Sequence, residues 1–177
     1  MDQPSDDAWV TVPIGFGDVE EVHAIQTDER TWVHSPSQRP HDVADTLGMI
    51  ERSISSWKTH GQGLWVVREQ GRVIGVAGAT MSELGVWNLY YRFAPDSGGR
   101  GIASNVASLA TDGAHASVPQ SPVVARILAN NARSIRVAER AGLSEQWRGA
   151  VGREADRLIL ADRPLAQDLV DLLAALG

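Results

Sequence analysis

The 177-residue chain contains no cysteine. This absence excludes disulfide bonds, thiolate nucleophiles and cysteine-based zinc sites. Five histidines are present, but no two of them have the i, i+4 spacing of a helical metal-binding pair, so we expect no bound metal. A Gly-x-Ser-x-Gly sequence is also absent, which disfavours a serine hydrolase.

Lysine is almost as scarce, because Lys58 is the only one and the other fifteen basic residues are arginine. A Walker-type phosphate loop needs a lysine after a glycine-rich run, whereas Lys58 follows Ser55-Ser56-Trp57. The chain has 16 basic and 22 acidic residues, a net charge of -6. Nucleic-acid binding requires a basic surface, so we expect no nucleic-acid partner.

Long apolar runs are missing, and none approaches the roughly 20 residues of a membrane-spanning helix. Residues 1–7 are polar and acidic, unlike a secretory signal, which is basic and then apolar. We therefore expect a cytoplasmic protein that does not insert into membranes. The length, with 43% hydrophobic and 21% charged residues, predicts a single domain over residues 1–177 with a buried core.

Hydrophobic periodicity predicts seven strands and five helices. Between 43 and 57 the apolar residues are spaced by four, three, four and three positions, which indicates an amphipathic helix that Gly61 and Gly63 end. The predicted strands are 10–14, 64–68, 73–79, 86–93, 123–129, 145–151 and 157–161. The predicted helices are 19–25, 41–60, 102–115, 131–141 and 164–176. This order is typical of a mixed α/β (α+β) domain.

A glycine-rich run, Gly98-Gly99-Arg100-Gly101, stands directly before a predicted helix. Successive glycines let backbone N–H groups point into one concavity, and a helix start adds partial positive charge, so an anionic phosphate fits there. The dipole contributes only about 0.3–1 kcal/mol at an exposed site, so several amides and Arg100 would have to act together. On the loop alone, a glycine-rich surface turn is an equal alternative.

A second signal is Asn131-Ala132-Arg133-Ser134, which opens the next predicted helix immediately after a strand. Asparagine is a preferred N-cap residue, so capping explains Asn131 by itself. A capping asparagine can still offer its amide to a ligand.

Taken together, these segments resemble the GNAT superfamily of acyl-CoA-dependent N-acyltransferases. That family has a pyrophosphate-binding Gln/Arg-x-x-Gly-x-Gly/Ala, followed by an Asn-x-x-Ser/Ala helix that ends in Gly-Phe. The run that begins at Gly98 matches except at its first position, where the family has Gln or Arg. Asn131 and Ser134 match, and Gly142-Leu143 matches with Leu for Phe. The helix start and the strand that contains Trp65 look most like the ribosomal-protein N-terminal acetyltransferases.

The resemblance implies a GNAT-like fold with a central, mostly antiparallel sheet flanked by helices. It implies a split between the fourth and fifth strands that takes the pantetheine arm of acetyl-CoA, with the pyrophosphate on the glycine-rich loop. Asn131 would reach the pantetheine or acetyl carbonyl, and Ser134 would lie near the sulfur. The cofactor-binding residues so implied are Phe93, Ala94, Gly98, Gly99, Arg100, Gly101, Ile102, Ala103, Ser104, Asn131 and Ser134.

Two departures from the family concern catalysis. Many members have a tyrosine four positions before the terminal Gly that protonates the departing thiolate, and here that position is Ala138. Ser134 is the candidate substitute. Many members also have a glutamate base on the fourth strand, whereas here Glu83 lies in the preceding turn and Glu154 is a weaker candidate. The catalytic candidates are therefore Ser134, Asn131 and Glu83.

The weak signal for a base bears on the acceptor. At pH 7 deprotonation costs roughly 4–5 kcal/mol for a lysine amine but only about 1 kcal/mol for an α-amine. We therefore expect direct acetyl transfer to a protein or peptide N-terminus or to a small amine of low pKa. Trp32, Trp57 and Trp65 fall where the family builds its acceptor groove.

Alternatives remain open at this stage. Gly98 and Ala138 are also consistent with a non-catalytic acyl-CoA sensor or assembly module, and a different acyl donor, or none, is a second alternative. The closing helix, which contains Leu169, Leu172, Leu173 and Leu176, either covers the core or faces a partner in a homodimer.

Overall fold

The computed structural model describes residues 9–150 and 155–176, which form seven strands and five helices in the predicted order. The strands are β1 (Trp9–Pro13), β2 (Leu64–Glu69), β3 (Arg72–Met81), β4 (Trp87–Phe93), β5 (Val123–Leu128), β6 (Ser144–Gly149) and β7 (Arg157–Ala161). The helices are α1 (Val19–Thr27), α2 (Val43–His60), α3 (Ile102–Ser117), α4 (Ala132–Arg140) and α5 (Gln167–Ala175). The polar segment between α1 and α2 contains two short 3-10 turns, Glu29–Thr31 and Pro36–Gln38.

All seven strands form one sheet with the order β1-β2-β3-β4-β5-β7-β6. Neighbouring strands are antiparallel except β4 and β5, which are parallel and pair only through Trp87 with Val123 and Asn88 with Val124. Beyond these two pairs, β4 continues to residue 93 and β5 to residue 128, but the two strands no longer pair with each other. The mixed fold and the mostly antiparallel sheet are thus confirmed, and a gap opens between the fourth and fifth strands.

Helices cover both faces of the sheet. The residues Val22 of α1, Ile50 of α2 and Val76 of β3 belong to one buried cluster. On the opposite face, α3 and α4 bury a second cluster against β4, β5 and β7. Because side chains alternate along a strand, Asn88, Tyr90 and Arg92 of β4 face α1 and α2, while Leu89, Tyr91 and Phe93 face α3.

The helix ends explain why these segments stop where they do. The Asp42 carboxylate accepts a hydrogen bond from the Ala44 amide (2.8 Å) and caps α2, and Gly61 ends this helix with a left-handed backbone (φ +66°). None of the helices in the described part of the chain has the length and hydropathy of a membrane-spanning segment. The closing helix buries Val170 and Leu173 against β7, whereas Leu172 of this helix and Leu176 directly after it are exposed.

An ion cluster joins the end of α3 to the segment after β7. The Asp162 side chain is only 7% exposed, and it accepts hydrogen bonds from the Arg163 guanidinium (2.8 Å) and the Val123 amide (2.9 Å). It also lies 2.7 Å from His115 Nε2. Burial acts to raise the pKa of Asp162, but the bonds from Arg163, His115 and Val123 outweigh it and hold the pKa below its ordinary value.

The substitution Asp162→Asn is expected to lower the free energy of unfolding at pH 7 by about 1–3 kcal/mol, because it removes the negative charge that the Arg163 guanidinium faces and that the Val123 amide donates to. The wild-type advantage should be complete above the unfolded-state pKa of about 3.9. It should disappear as the pH falls through the lower pKa of the folded state. Urea unfolding at neutral and acidic pH measures both values. An equal difference at pH 7 and pH 2.5 would contradict this account.

Candidate active site

The glycine-rich loop adopts a backbone that only glycine adopts readily at two positions. Gly99 has φ +90° and Gly101 has φ +76°, and Gly101 is the N-cap of α3. The first intrahelical bond is donated by the Asn105 amide to Gly101 O (3.0 Å), so the amides of residues 102–104 have no partner within the helix. The loop therefore presents N–H groups at a positive helix end, as an anion site requires.

The sequence indicates Arg100 as the cation at this loop, but the structure places other arginines there. Arg100 pairs with Glu69 of β2, with Nη2 3.0 Å from Oε2, and this pairing holds the pKa of the Glu69 carboxyl below its usual range. A cavity of about 250 Å³ instead lies between the loop and three arginines of α4, Arg133, Arg136 and Arg140. We refer to it as the phosphate cradle.

The Arg133 guanidinium fills the space that a side chain at position 98 would need. A Cβ atom on Gly98 would lie 2.5 Å from Arg133 Nη2 and 3.2 Å from its Cζ. Within the described residues, none of the three cradle arginines has a carboxylate partner. Their i, i+3, i+7 spacing places them on one face of α4, a signal that the sequence contained and that sequence reasoning missed.

The gap between β4 and β5 contains two cavities. The first gap cavity, of about 210 Å³, is lined by Phe93, Ala103 and Arg133 on its cradle side and by Asn131 and Ser134. The second gap cavity, of about 180 Å³, shares Asn131 and Ser134 and extends between β4 and β5. At the paired end of the two strands, the Trp87 amide donates a hydrogen bond to Pro122 O (2.9 Å), on the side of β5. Because N–H directions alternate along a strand, the amides of Tyr91 and Phe93 point into the gap.

Asn131 and Ser134 occupy the first turn of α4. Asn131 Oδ1 accepts a hydrogen bond from the Ser134 amide (3.1 Å), so the predicted cap is present. Among the residues the structure describes, neither Asn131 Nδ2 nor Ser134 Oγ has a hydrogen-bond partner. Both residues line both gap cavities, and their remaining donors are therefore available to a ligand.

Tyr91 of β4 is a neighbour that sequence reasoning did not select. Its hydroxyl donates to Ser134 O (2.7 Å) and lies beside the Ala138 amide, and burial raises the pKa of this phenol. A phenol is thus present next to position 138, but it comes from the strand rather than from α4. Strand alternation placed Tyr91 among apolar side chains, so the sequence indicated a core residue.

On the opposite face, a cavity of about 640 Å³ lies between the α1–α2 segment, α2 and β4; we refer to it as the acceptor cavity. Its charged or titratable lining residues are Arg39, His41, Asp42, Asp45, Arg52, Tyr90 and Arg92. The Arg92 guanidinium carbon lies 3.7 Å from the centre of the Trp32 ring.

Of the tryptophans expected near an acceptor, only Trp32 lines this cavity. Trp57 and Trp65 pack against each other with ring centres 5.7 Å apart, and Trp65 contacts the buried clusters under α3. Both are half-buried, and Trp57 also donates to Leu64 O from the end of α2 (2.9 Å).

The two glutamates that the sequence offers as a general base are not found at these cavities in the described part of the chain. Glu83 is exposed in the turn between β3 and β4 and lines none of the cavities described above. Glu154 lies outside the described residues. His34, in the segment between α1 and α2, lines both gap cavities together with Ser134. An imidazole is a common general base, so His34 is the stronger candidate on position.

Comparison with known proteins gives a consistent result. The family model described as "Acetyltransferase (GNAT) domain" matches residues 12–144. A putative GNAT-family acetyltransferase from Bordetella pertussis is 20% identical, with a TM-score of 0.73, over 91% of this chain and 98% of that one. The putative acetyltransferase yncA from Salmonella typhimurium, solved with its cofactor acetyl-CoA, is 20% identical, with a TM-score of 0.69, over 88% and 93%.

A third solved structure is the spermidine N-acetyltransferase from Vibrio cholerae in complex with CoA and spermine. It is 14% identical, with a TM-score of 0.69, over 86% of this chain and 94% of that one. No curated protein sequence matches the chain significantly. At these identities the solved structures show the shared fold.

Proposed function

The chain belongs to the GNAT acetyltransferase family, since the family model covers well over half of it, and we propose that it transfers the acetyl group of acetyl-CoA to an amine. The observation that carries this proposal is the continuity of the cavities. The phosphate cradle shares Phe93 and Arg133 with the first gap cavity. The second gap cavity shares Trp32 and Arg92 with the acceptor cavity. The anion site, the gap in the sheet and the polar cavity are therefore neighbours in that order.

The residues present fit the groups of acetyl-CoA. Unpartnered amides at the start of α3 and three arginines without carboxylate partners suit a diphosphate. Asn131 Nδ2 is available to a carbonyl oxygen, and the gap has the exposed strand amides that a pantetheine arm can bond. Acetyl-CoA would supply the acetyl group on a thioester with a thiol as leaving group.

For the transfer itself, the neutral amine attacks the thioester carbonyl carbon, the C–N bond forms and the C–S bond breaks. A donor aimed at the carbonyl oxygen stabilises the charge that develops there, and Asn131 Nδ2 is the available side chain. We assign Ser134 Oγ to pass a proton to the sulfur as it leaves and His34 to accept the proton from the amine. A proton from water restores the serine hydroxyl, and His34 releases its proton to water. Holding both substrates together makes a covalent enzyme intermediate unnecessary.

The acceptor cavity has the volume of a small-molecule site, which favours a small amine over a protein N-terminus. The closer likeness to the ribosomal-protein branch and the cytoplasmic location stay predictions. A non-catalytic acyl-CoA sensor is the second candidate, because Ala138 removes the usual tyrosine and Tyr91 directs its hydroxyl to a helix carbonyl.

Isothermal titration with acetyl-CoA, followed by thiol release with a panel of amines, tests the proposal. We expect binding and amine-dependent thiol release above the rate without an amine. Binding without thiol release on any amine would favour the sensor. Absence of binding to acetyl-CoA and other CoA esters would overturn both functions.

A further inference from the structure

Arg92 lies where the gap between β4 and β5 meets the acceptor cavity. Among the residues that the structure describes, it alone lines the acceptor cavity and both gap cavities. Its guanidinium is held in place from three sides. Nη1 donates to Thr31 O and Oγ1 (both 3.1 Å), Nε donates to the Tyr90 hydroxyl (3.2 Å), and the group stacks on Trp32. This cation is therefore preorganised at the point where an acceptor would meet the acetyl group.

No carboxylate neutralises Arg92 in the described part of the chain, and its Nη2 atom has no hydrogen-bond partner there. The acidic residues that line the acceptor cavity are Asp42, which caps α2, and Asp45, and neither forms an ion pair with Arg92. A half-buried guanidinium without a counter-ion is costly unless a ligand supplies one. Arg92 thus has an open donor and an unmet charge.

Arg126 adds a second cation to the same cavity. It lines the second gap cavity with Arg92, donates to Leu176 O (2.8 Å) and likewise has no carboxylate partner among the described residues. Burial, and to a smaller extent the charge of the nearby Arg157, lower the pKa of Arg126. The electrostatic environment of this end of the gap favours an anion.

We propose that the acceptor is a free amino acid, whose carboxylate binds Arg92 while its α-amine attacks the acetyl group. This inference rests on the proposed function and names its substrate class. Ser134 and Arg92 line the same cavity of about 180 Å³, so an anion on Arg92 must lie close to the reacting amine. An α-amino acid carries its carboxylate and its amine on one carbon, which suits two groups that line a single small cavity. A polyamine would place cations against Arg92, and a protein N-terminus would offer a neutral peptide carbonyl instead.

The test compares kcat/KM, measured by thiol release from acetyl-CoA, for alanine, leucine, serine and glutamate with their α-carboxamides and with spermine. We expect the wild type to prefer acids over amides by about 10- to 100-fold, the range of a charge-assisted hydrogen bond. The carboxylate raises the pKa of the neighbouring amine, so the amides have more neutral amine and the measured preference is a lower limit.

In Arg92→Gln the kcat/KM ratio of acid to amide should fall to near one. In Arg92→Lys part of the preference for acids should remain. The ratio is measured within each variant, so a general loss of activity does not alter it. Arg39→Gln is the matched control, because Arg39 lines the acceptor cavity but pairs with Glu29 (3.6 Å), and it should keep the preference.

Equal rates for acids and amides in the wild type, or an unchanged ratio in Arg92→Gln, would overturn the inference while leaving acetyl transfer established. Acetyl-CoA binding without thiol release on any of these acceptors would instead contradict the proposed function, and this inference with it.

Discussion

Replacing Ser134 with alanine is expected to lower kcat for acetyl transfer by about 10²–10⁴-fold, the usual contribution of a general acid. Ser134 Oγ has no hydrogen-bond partner among the described residues and borders both gap cavities, while Ala138 has no group that could donate a proton. The cap of α4 uses the Ser134 amide, not its hydroxyl, so the helix start should persist. The dissociation constant of acetyl-CoA should therefore change by no more than about twofold.

Two further variants make this result specific. Ser55→Ala removes a hydroxyl from an exposed position of α2 and should leave kcat unchanged. Tyr91→Phe removes the hydroxyl that bonds Ser134 O and tests the other donor near position 138. A kcat for Ser134→Ala within about twofold of wild type would contradict the assignment, and a large loss in Tyr91→Phe alone would transfer the role to the phenol.

Replacing Arg133 with alanine is expected to raise the dissociation constant of acetyl-CoA by about 10- to 100-fold, because hydrogen bonds to charged groups contribute about 1.5–3 kcal/mol. The decisive variant is Gly98→Arg in the Arg133→Ala background. A side chain at position 98 would occupy the place that the Arg133 guanidinium holds, and it should restore part of the affinity. In the wild-type background, Gly98→Arg should weaken binding, since the two side chains collide.

Titration calorimetry at two salt concentrations measures these affinities, and the salt dependence should be smaller in Arg133→Ala. Arg148→Ala is the matched control, since Arg148 lies on β6 and pairs with Glu145 (2.9 Å). Two results would contradict this prediction. One is wild-type affinity in Arg133→Ala, and the other is no recovery of affinity when Gly98→Arg is added to it.

The secondary structure and the glycine loop could be predicted because local rules determine them. Alternation along β4 and the 3.6-residue period of α2 are visible in any short window of the sequence. Gly99 and Gly101 are visible because their positive φ angles restrict the residue type.

The cations of the site could not be predicted in this way. Arg100 is adjacent to the loop in sequence, yet it pairs with Glu69 on β2, while Arg133 reaches Gly98 from another helix. Both contacts depend on distances between α3, α4 and β2, and no local sequence pattern encodes those distances. The stacking of Arg92 on Trp32 was hidden for the same reason, because Trp32 lies in an irregular segment.

The brief pairing of β4 with β5 has a consequence for cooperativity. With two residue pairs between them, the β1–β4 and β5–β7 parts of the sheet are joined mainly by their packing on α3 and α4. Partial opening of one part can therefore occur at a lower free energy than global unfolding, and amide exchange would reveal two units. A linear ligand with amide groups, bound along the inner edge of β4, would replace the hydrogen bonds of a missing strand and make the two parts open together.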